Sequence, residues 1–326
     1  MVIKCNVYRG TEIESVHQVY GVAVDSKGEI LFASGDPHYK TCIRSSLKPF
    51  QASVCVETGA VDAFGFNDEE LAVMCASHNG EDIHTSTVSG MLKKMGIDQS
   101  HYMCGVHPPY DKHTRISSLK NGENFSPLQN NCSGKHAGML ATAKHLGHDL
   151  SDYIQIQHPV QQKIISILEN YSEQRDFVFG TDGCSAPTPF VSLNRIAILF
   201  QKFASGNYPN LSRLYDAMVS NPYLVAGRKR FDTDFMKVMS GRAVTKVGGE
   251  AVRGVGIRQK DGNTIGIAVK VLDGNQRANP PGTMTILKEM RLLKQEELSK
   301  LSDYETVELV NHRKKVIGKI TGSIHN

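Results

Sequence analysis

The sequence predicts an α+β fold in which both ends of the chain build one antiparallel sheet and a helical lobe is inserted between them. Three observations predict it. Short apolar runs come early, helical spacing of apolar residues fills the middle, and short apolar runs return in the last third. We expect a single domain over residues 1–326, with a sheet-containing lobe at about residues 1–44 and 190–326 and a helical lobe at about residues 45–189.

The early elements are a hairpin and a helix. Residues 15–25 and 28–34 are apolar runs around the turn sequence DSKG, which predicts two antiparallel strands. The next apolar pattern has helical spacing up to residue 60, and Pro49 is tolerated only in a first turn, so this helix should begin close to Ser45.

The middle and the end of the chain follow the same reasoning. Residues 251–258 and 264–272 read as strands joined by the turn sequence QKDGN. Residues 279–326 carry a proline pair and a helical stretch at 284–301, and we expect them to form a packed appendage or a partner surface. Helical spacing predicts further helices over residues 69–76, 85–95, 135–146, 159–171, 191–204 and 211–220.

Composition indicates an ordinary globular protein. The chain has 326 residues, of which 40% are hydrophobic and 21% are charged, so it can bury a sizeable core. Its net charge is only +4, with lysine and arginine scattered, which predicts neither a nucleic-acid partner nor a membrane partner.

The N-terminus and the cysteines indicate a compartment. The N-terminal sequence MVIKCNVYRG has no cationic start followed by an apolar run, and no stretch approaches the roughly 18 apolar residues that a bilayer span requires. The seven cysteines are an odd number, which disfavours a disulfide framework. We therefore expect a cytoplasmic protein with reduced thiols.

Three short motifs point to chemistry. RSSLKPFQ places Ser45 three residues before Lys48, ASHNG contains Ser77, and TKVGG contains Lys246. Alone, a Ser-x-x-Lys string usually marks a capping serine followed by a solvated lysine. In this order, however, Ser-x-x-Lys, Ser-x-Asn and Lys-x-Gly form the signature of active-site serine acyl transferases that lack a Ser-His-Asp triad.

Two polar loops between helical patterns extend the signature. They read NNCSGKHAG at residues 130–138 and GTDGCSAP at residues 180–187. Together with RSSLKPFQ and ASHNGE, they make residues 5–275 strongly resemble the asparaginase family first described from rhizobia, also known as thermolabile or inducible asparaginase II. The resemblance implies a fold similar to serine β-lactamases and glutaminases, and hydrolysis of L-asparagine to L-aspartate and ammonia.

The resemblance implies that the catalytic residues are Ser45, Lys48, Ser77 and Lys246. A serine that attacks an amide needs a base and oxyanion donors, so Lys48 must be neutral, and a second cation such as Lys246 lowers a lysine pKa. Ser77 would relay a proton. Which serine attacks first stays open, although we favour Ser45, and Lys270 in its apolar strand is the alternative second lysine.

A small zwitterionic substrate requires opposite charges and backbone donors near the nucleophile. Arg44 and Asp182 are the candidates for the charges, against the alternatives of a surface ion pair and a turn residue. His136 and Asn131 are supporting contacts. We expect the oxyanion donors to be backbone N–H groups of Ser45 and of Gly248 or Gly249.

A metal site is implied only by the resemblance. Spacing alone would make Cys132 and Cys184 two small buried thiols, and lysine is an unusual zinc ligand. The resemblance implies Zn²⁺ at Cys132, Lys135 and Cys184, where it would orient the substrate rather than generate the nucleophile.

Other function classes stay open. Glutaminase is the nearest, because one methylene of pocket length separates the two substrates. A β-lactamase or cell-wall peptidase should carry an export signal. A catalytically silent amino-acid- or zinc-binding module would need neither the serines nor the lysines of the motifs. We expect a homodimer, the usual symmetric oligomer.

Overall fold

The structure is a computed structural model that describes residues 1–325, and it divides into two compact units. The sheet unit comprises Met1–Ser46, Phe190–Ser205 and Asp234–Asn326, and the helical unit comprises Leu47–Pro189 and Gly206–Thr233. The single-domain organisation stays a prediction.

Strands lie at both ends of the chain, and most of the α-helices lie between them. The strands are β1 (Val2–Arg9), β2 (Glu12–Val24), β3 (Ile30–Ser34), β4 (Lys40–Cys42), β5 (Phe179–Thr181), β6 (Pro187–Ser192), β7 (Ala243–Val247), β8 (Val252–Arg258), β9 (Thr264–Val271), β10 (Thr306–Val310) and β11 (Val316–His325). The α-helices are α1 (Lys48–Glu57), α2 (Ala60–Ala63), α3 (Asp68–Met74), α4 (Asp82–Met95), α5 (Lys112–Lys120), α6 (Ser133–His145), α7 (Pro159–Ser172), α8 (Leu193–Ser205), α9 (Pro209–Ser220), α10 (Pro222–Val225), α11 (Phe231–Met239), α12 (Asn279–Glu289), α13 (Gln295–Lys300) and α14 (Ser302–Glu305).

The sheet unit confirms the predicted α+β class. Its sheet has the order β10-β11-β1-β2-β9-β8-β7, with β3 also paired to β2, and these pairs are antiparallel. The N-terminal strand β2 pairs directly with the late strand β9, from Val19 opposite Val271 to Val24 opposite Gly266. Both ends of the chain therefore build one sheet.

Helices cover both faces of the central strands. Gly254 and Gly266 lie against α8, whereas Gly21 lies against α12. Side chains two residues apart along a strand share a face, so the register puts the two helices on opposite faces. This explains why β9 is buried along its whole length and reads as a continuous apolar run.

The C-terminal segment is a correction to the sequence prediction. It is not an appendage, because β11 pairs along the whole of β1 and β10 pairs on the other side of β11. The helix predicted over residues 284–301 is also two helices, α12 and α13. Arg291 between them has φ +55°, a left-handed conformation that ends a helix.

The helical unit is built around two helices that are buried on all sides. Residues 48–55 of α1 and residues 133–143 of α6 are all buried, and α1 packs against α6, α7 and α9. Such helices lack the polar face that a surface helix presents to water. They carry Lys48 and Lys135 into the interior.

Most predicted helices are confirmed with small shifts of their ends. The first one begins as a 3₁₀ turn at Arg44–Leu47 and becomes α1 at Lys48, with Pro49 in its first turn as predicted. It ends at Glu57 rather than at residue 60, because Gly59 is left-handed. Within residues 1–325, no helix has both the length and the apolar character needed to cross a bilayer.

Candidate active site

The predicted catalytic residues are divided between the two units. Ser45 and Lys246 belong to the sheet unit, and Lys48 and Ser77 belong to the helical unit.

Lys48 is buried and makes three polar contacts. Its side chain is 0% exposed, and Nζ donates to the carbonyl oxygens of Ala76 at 2.5 Å and Asn131 at 3.0 Å. Its third contact is Ser77 Oγ at 3.0 Å. Two of the four predicted catalytic residues are therefore in direct contact.

Ser77 lies in the segment that follows α3, and its backbone is held in place. Its N–H donates to the Val225 carbonyl at 3.0 Å, and the N–H of Asn79 donates to the Ala226 carbonyl at 2.9 Å. These bonds hold the segment beside residues 225–226, as a strand is held by its neighbour. The hydroxyl that faces Lys48 is consequently on a fixed backbone.

In the sheet unit, the turn that carries Ser45 is tied to β7. The Ser46 hydroxyl donates to the Lys246 carbonyl at 2.9 Å. The Gly248 N–H donates to the Val252 carbonyl at 2.7 Å. Because this Gly248 donor is engaged within the sheet, Gly249 is the better of the two predicted oxyanion donors.

Arg44 also lies at this turn. A Cβ on Gly249 would stand only 2.8 Å from Cζ of Arg44, so the guanidinium rests directly on the Gly249 backbone. Arg44, Glu250 and Ala251 have φ near +50°, which is costly for residues other than glycine. Strain of this kind concentrates at functional sites, which is consistent with the predicted role of Arg44.

Lys246 and Lys270 lie on the same face of the sheet, so the sheet register does not decide which of them is the second catalytic lysine. Lys246 is opposite Gly254, Gly254 is opposite Ala268, and Lys270 lies two residues further along the same strand. Nζ of Lys246 donates to the Val247 carbonyl at 2.7 Å, whereas Nζ of Lys270 donates to the Glu250 carbonyl. Burial lowers the pKa of Lys270.

The predicted metal ligands come together in the helical unit. Cys132 precedes α6, Lys135 lies in its first turn, and Cys184 lies in the loop after β5. Nζ of Lys135 donates to Sγ of Cys184 at 2.8 Å. Sγ of Cys132, Sγ of Cys184 and a carboxylate oxygen of Asp182 all lie within 4.8 Å of one another.

The thiols titrate as a pair. A hydrogen bond with the Cys132 thiol, opposed by burial and aided by Lys135, lowers the pKa of Cys184 to about 5. The same hydrogen bond, together with burial, raises the pKa of Cys132 to about 12. Burial opposes a charge on Lys135, but Cys184 and Cys132 outweigh it and raise the pKa of the amine. The Cys132 hydrogen bond and the Lys135 ammonium therefore favour a negative charge on Cys184 over one on Cys132.

Comparison with known proteins decides the family. The sequence model of L-asparaginase II matches residues 5–322, nearly the whole chain. The chain belongs to the L-asparaginase II family. None of the curated proteins compared matches the chain.

The family member also resembles solved structures at low identity. The crystal structure of Mglu in its native form is 13% identical, with a TM-score of 0.37, over 86% of this chain and 63% of the Mglu chain. A β-lactamase from Sphaerobacter thermophilus is 12% identical, with a TM-score of 0.42, over 85% of this chain and 92% of that one. This chain thus spans less than two thirds of that Mglu structure.

Three of the predicted substrate contacts of this asparaginase II chain lie in the helical unit. Asp182 lies at the cysteine cluster, where Oδ2 is 3.6 Å from Sγ of Cys184. His136 is fully buried, and its Nδ1 is 2.7 Å from the hydroxyl of Tyr153. Asn131 contacts Lys48 through its carbonyl, while its side-chain oxygen is 3.3 Å from Sγ of Cys132.

Sequence reasoning missed His107 and Glu81 in this asparaginase II chain. Nε2 of His107 accepts from the Asn131 N–H at 2.9 Å, and Nδ1 donates to the Pro108 carbonyl at 2.7 Å, which fixes one neutral tautomer. Glu81 is buried four residues after Ser77. The ASHNGE string was the available signal for Glu81, whereas no local pattern marks His107.

Proposed function

We propose that this protein is an L-asparaginase that hydrolyses L-asparagine to L-aspartate and ammonia through a serine acyl-enzyme. The observation that carries the proposal is the buried contact between Nζ of Lys48 and Oγ of Ser77 at 3.0 Å, in a chain of the L-asparaginase II family.

We propose that Lys48 reacts as a neutral amine. A neutral amine has two N–H bonds and one lone pair, and the Ala76 and Asn131 carbonyls can accept both N–H bonds. The lone pair then faces the Ser77 hydroxyl, which can donate its proton to it. Lys48 is thereby arranged as a general base for serine chemistry.

The proposed reaction has two halves. A serine Oγ attacks the side-chain amide carbon, its proton passes to lysine, and the tetrahedral intermediate expels ammonia, which takes that proton. Water then attacks the ester, and L-aspartate leaves with the serine regenerated. We propose Ser45 as the nucleophile, Ser77 as the proton relay, Lys246 as the second cation and Gly249 as an oxyanion donor.

We further propose that Arg44 binds the substrate α-carboxylate and Asp182 its α-ammonium, with His136, Asn131 and the Gly248 backbone as supporting groups. Asp182 is also a possible metal ligand, because its carboxylate lies at the cysteine cluster. The two roles make different predictions, since a ligand substitution changes metal content and a substrate contact changes KM.

We also propose that Cys132, Lys135 and Cys184 hold Zn²⁺. Two observations support the proposal: Sγ of Cys132 and Sγ of Cys184 lie within 4.8 Å of each other, close enough for two Zn–S bonds of about 2.3 Å, and Nζ of Lys135 is 2.8 Å from Sγ of Cys184. Lys135 would first lose the proton that it now donates to Cys184. When bound, the ion would supply a Lewis acid that orients the substrate.

The first experiment is ammonia release from L-asparagine and L-glutamine by the wild type, Ser45→Ala, Ser77→Ala and the control Ser53→Ala. Ser53 is as buried as Ser77, and its hydroxyl donates to the Phe50 carbonyl within α1. The proposal predicts that the rate of ammonia release falls by about 10³-fold or more in Ser45→Ala and in Ser77→Ala and changes little in Ser53→Ala.

Each contrary result would lead to a different conclusion. Faster turnover of L-glutamine than of L-asparagine would make the enzyme a glutaminase. Hydrolysis of a β-lactam, but of neither amide, would make β-lactams the substrate class. A wild type that releases no ammonia, yet binds L-asparagine or zinc in calorimetry, is a binding module and overturns the proposal. The homodimer and the cytoplasmic location stay predictions, and analytical ultracentrifugation tests the first.

A further inference from the structure

We propose that Glu81 is a positioning residue that connects residues 223–230 to residues 75–80, the Ser77 segment. This connection would fix the Ser77 hydroxyl beside Lys48. The inference rests on the proposed function, because it assigns a role to a residue that does not itself touch the reacting atoms. Its support is a set of contacts within the helical unit.

The Ser77 segment is held by hydrogen bonds to several parts of the helical unit, among them Ser133, Asp111 and residues 225–226. It follows the end of α3, and its backbone contacts include those to the Val225 and Ala226 carbonyls. The Val225 carbonyl is at the end of the short helix α10, and the Ala226 carbonyl is in the segment between α10 and α11. What fixes residues 223–230 therefore contributes to the position of Ser77.

Glu81 makes that connection with both carboxylate oxygens. Oε1 accepts from the Arg228 N–H at 2.9 Å and from Nδ2 of Asn79 at 3.2 Å. Oε2 accepts from the Tyr223 hydroxyl at 2.6 Å. One buried carboxylate thus binds the Ser77 segment and both ends of residues 223–228.

Asn79 doubles the connection. Its Nδ2 also donates to the Arg228 carbonyl at 3.0 Å, and its Oδ1 accepts from Nη1 of Arg230 at 2.8 Å. Both ends of the Asn79 amide are therefore engaged within the protein. Although Asn79 belongs to the Ser-x-Asn motif, its contacts are those of a structural link to the same segment.

The backbone around Glu81 is shaped for this carboxylate. Gly227 has φ +111°, and a Cβ there would stand 2.4 Å from Oε1 of Glu81 and 2.8 Å from Nδ2 of Asn79. Any larger residue would displace the carboxylate. The close approach is available only because position 227 is glycine.

The charge of Glu81 is held by dipoles more than by a cation. Burial would raise its pKa, but hydrogen bonds from Tyr223, Arg228 and Asn79 prevail and lower it. The Arg228 guanidinium is 3.5 Å away and half-exposed, so it contributes little. A buried carboxylate with this many donors is costly to remove, because its donors are left unsatisfied.

The test compares Glu81→Ala, Glu81→Gln and Tyr223→Phe with the control Glu297→Gln. Glu297 is a similarly buried carboxylate, 7% exposed, whose partner is Arg242 at 2.7 Å in the sheet unit. We expect Glu81→Ala to lower kcat for L-asparagine by about 10²-fold with KM changed less than about threefold, as for a displaced catalytic group. Glu81→Gln keeps one acceptor oxygen and should recover most of this loss.

Amide hydrogen exchange supplies the second readout. Peptides that cover residues 75–80 and 222–230 should exchange faster in Glu81→Ala and Tyr223→Phe, and unchanged in Glu297→Gln. Tyr223→Phe removes only one hydroxyl, so it reports on the link even where Glu81→Ala fails to fold.

The outcomes separate the two proposals. A wild type that hydrolyses no amide defeats the proposed function, and exchange at residues 75–80 then decides by itself whether Glu81 orders the Ser77 segment. An active wild type whose kcat survives Glu81→Ala and Tyr223→Phe overturns the positioning role. So does an equal loss of kcat in Glu297→Gln, which would mean general destabilisation.

Discussion

Nζ of Lys48 lies 3.0 Å from Oγ of Ser77, and the two side chains are 0% and 5% exposed. An amine can accept a proton from a hydroxyl only in its neutral form. The Ala76 and Asn131 carbonyls occupy two directions around Nζ, and the Ser77 hydroxyl occupies the third.

Replacing the amine should abolish activity while leaving a folded protein. Lys48→Met keeps the length of the side chain but leaves the Ala76 and Asn131 carbonyls without their donor, at a cost of roughly 1–3 kcal/mol each. We expect ammonia release to fall by about 10³-fold or more, with a lower unfolding midpoint in urea. Normal turnover in a folded Lys48→Met protein would exclude Lys48 as the base.

The second lysine can be assigned by a matched pair of variants. Lys246→Met and Lys270→Met each remove a buried amine from the same sheet face. We expect a large loss of kcat only for Lys246→Met. The hydrogen bond from the Ser46 hydroxyl to the Lys246 carbonyl places residue 246 next to the turn that carries Ser45, so its amine is the one we expect to act on the nucleophile. Steady-state kinetics measures this, and the reverse pattern would assign Lys270.

Metal content should follow the cysteine cluster. We expect about one zinc per chain in the wild type and little in Cys184→Ser, since thiolates are the preferred soft ligands in such a site. Cys55→Ser is the control, because Cys55 is an equally buried thiol in α1 outside the cluster. Elemental analysis after dialysis against zinc makes the measurement, and equal metal in all three proteins would contradict the site.

Acid should weaken the Glu81 connection. Hydrogen bonds lower the pKa of Glu81 despite its burial, so the native state holds it ionised where an unfolded chain, with a pKa of 4.5, begins to protonate. Its stabilising contribution is present above that value and is lost as the pH falls through the lower folded pKa. Urea midpoints between pH 7 and pH 3 should therefore fall less in Glu81→Gln than in the wild type, and parallel curves would contradict this.

The last strand should be required for stability. Ile320 on β11 is 0% exposed and pairs with the buried Val7 on β1. Ile320→Ala should lower the free energy of unfolding by about 2–5 kcal/mol, the usual cost of a core truncation. Val316→Ala on the same strand, at a site 56% exposed, should change it by less than about 0.5 kcal/mol. Equal effects would mean that β11 does not close the core.

Local sequence pattern was sufficient to predict the elements whose buried faces follow apolar periodicity and whose strand partners are close along the chain. The hairpin of β2 and β3, helices α3, α4, α7 and α9, and the β8–β9 hairpin lie where apolar periodicity and turn residues put them. Pattern failed for β1 and β11, since a strand's partner can lie more than 300 residues away and short apolar runs near a terminus give no sign of it.

The sequence by itself determined the α+β class, the family and the residue types available for chemistry, because periodicity and short motifs are properties of neighbouring residues. Only the tertiary structure decided that Lys48 contacts Ser77, that Asp182 joins Cys132 and Cys184, and that Glu81 binds residues 223–228. Those contacts join positions tens to hundreds of residues apart. Their geometry follows from how buried helices and loops pack, which no local pattern encodes.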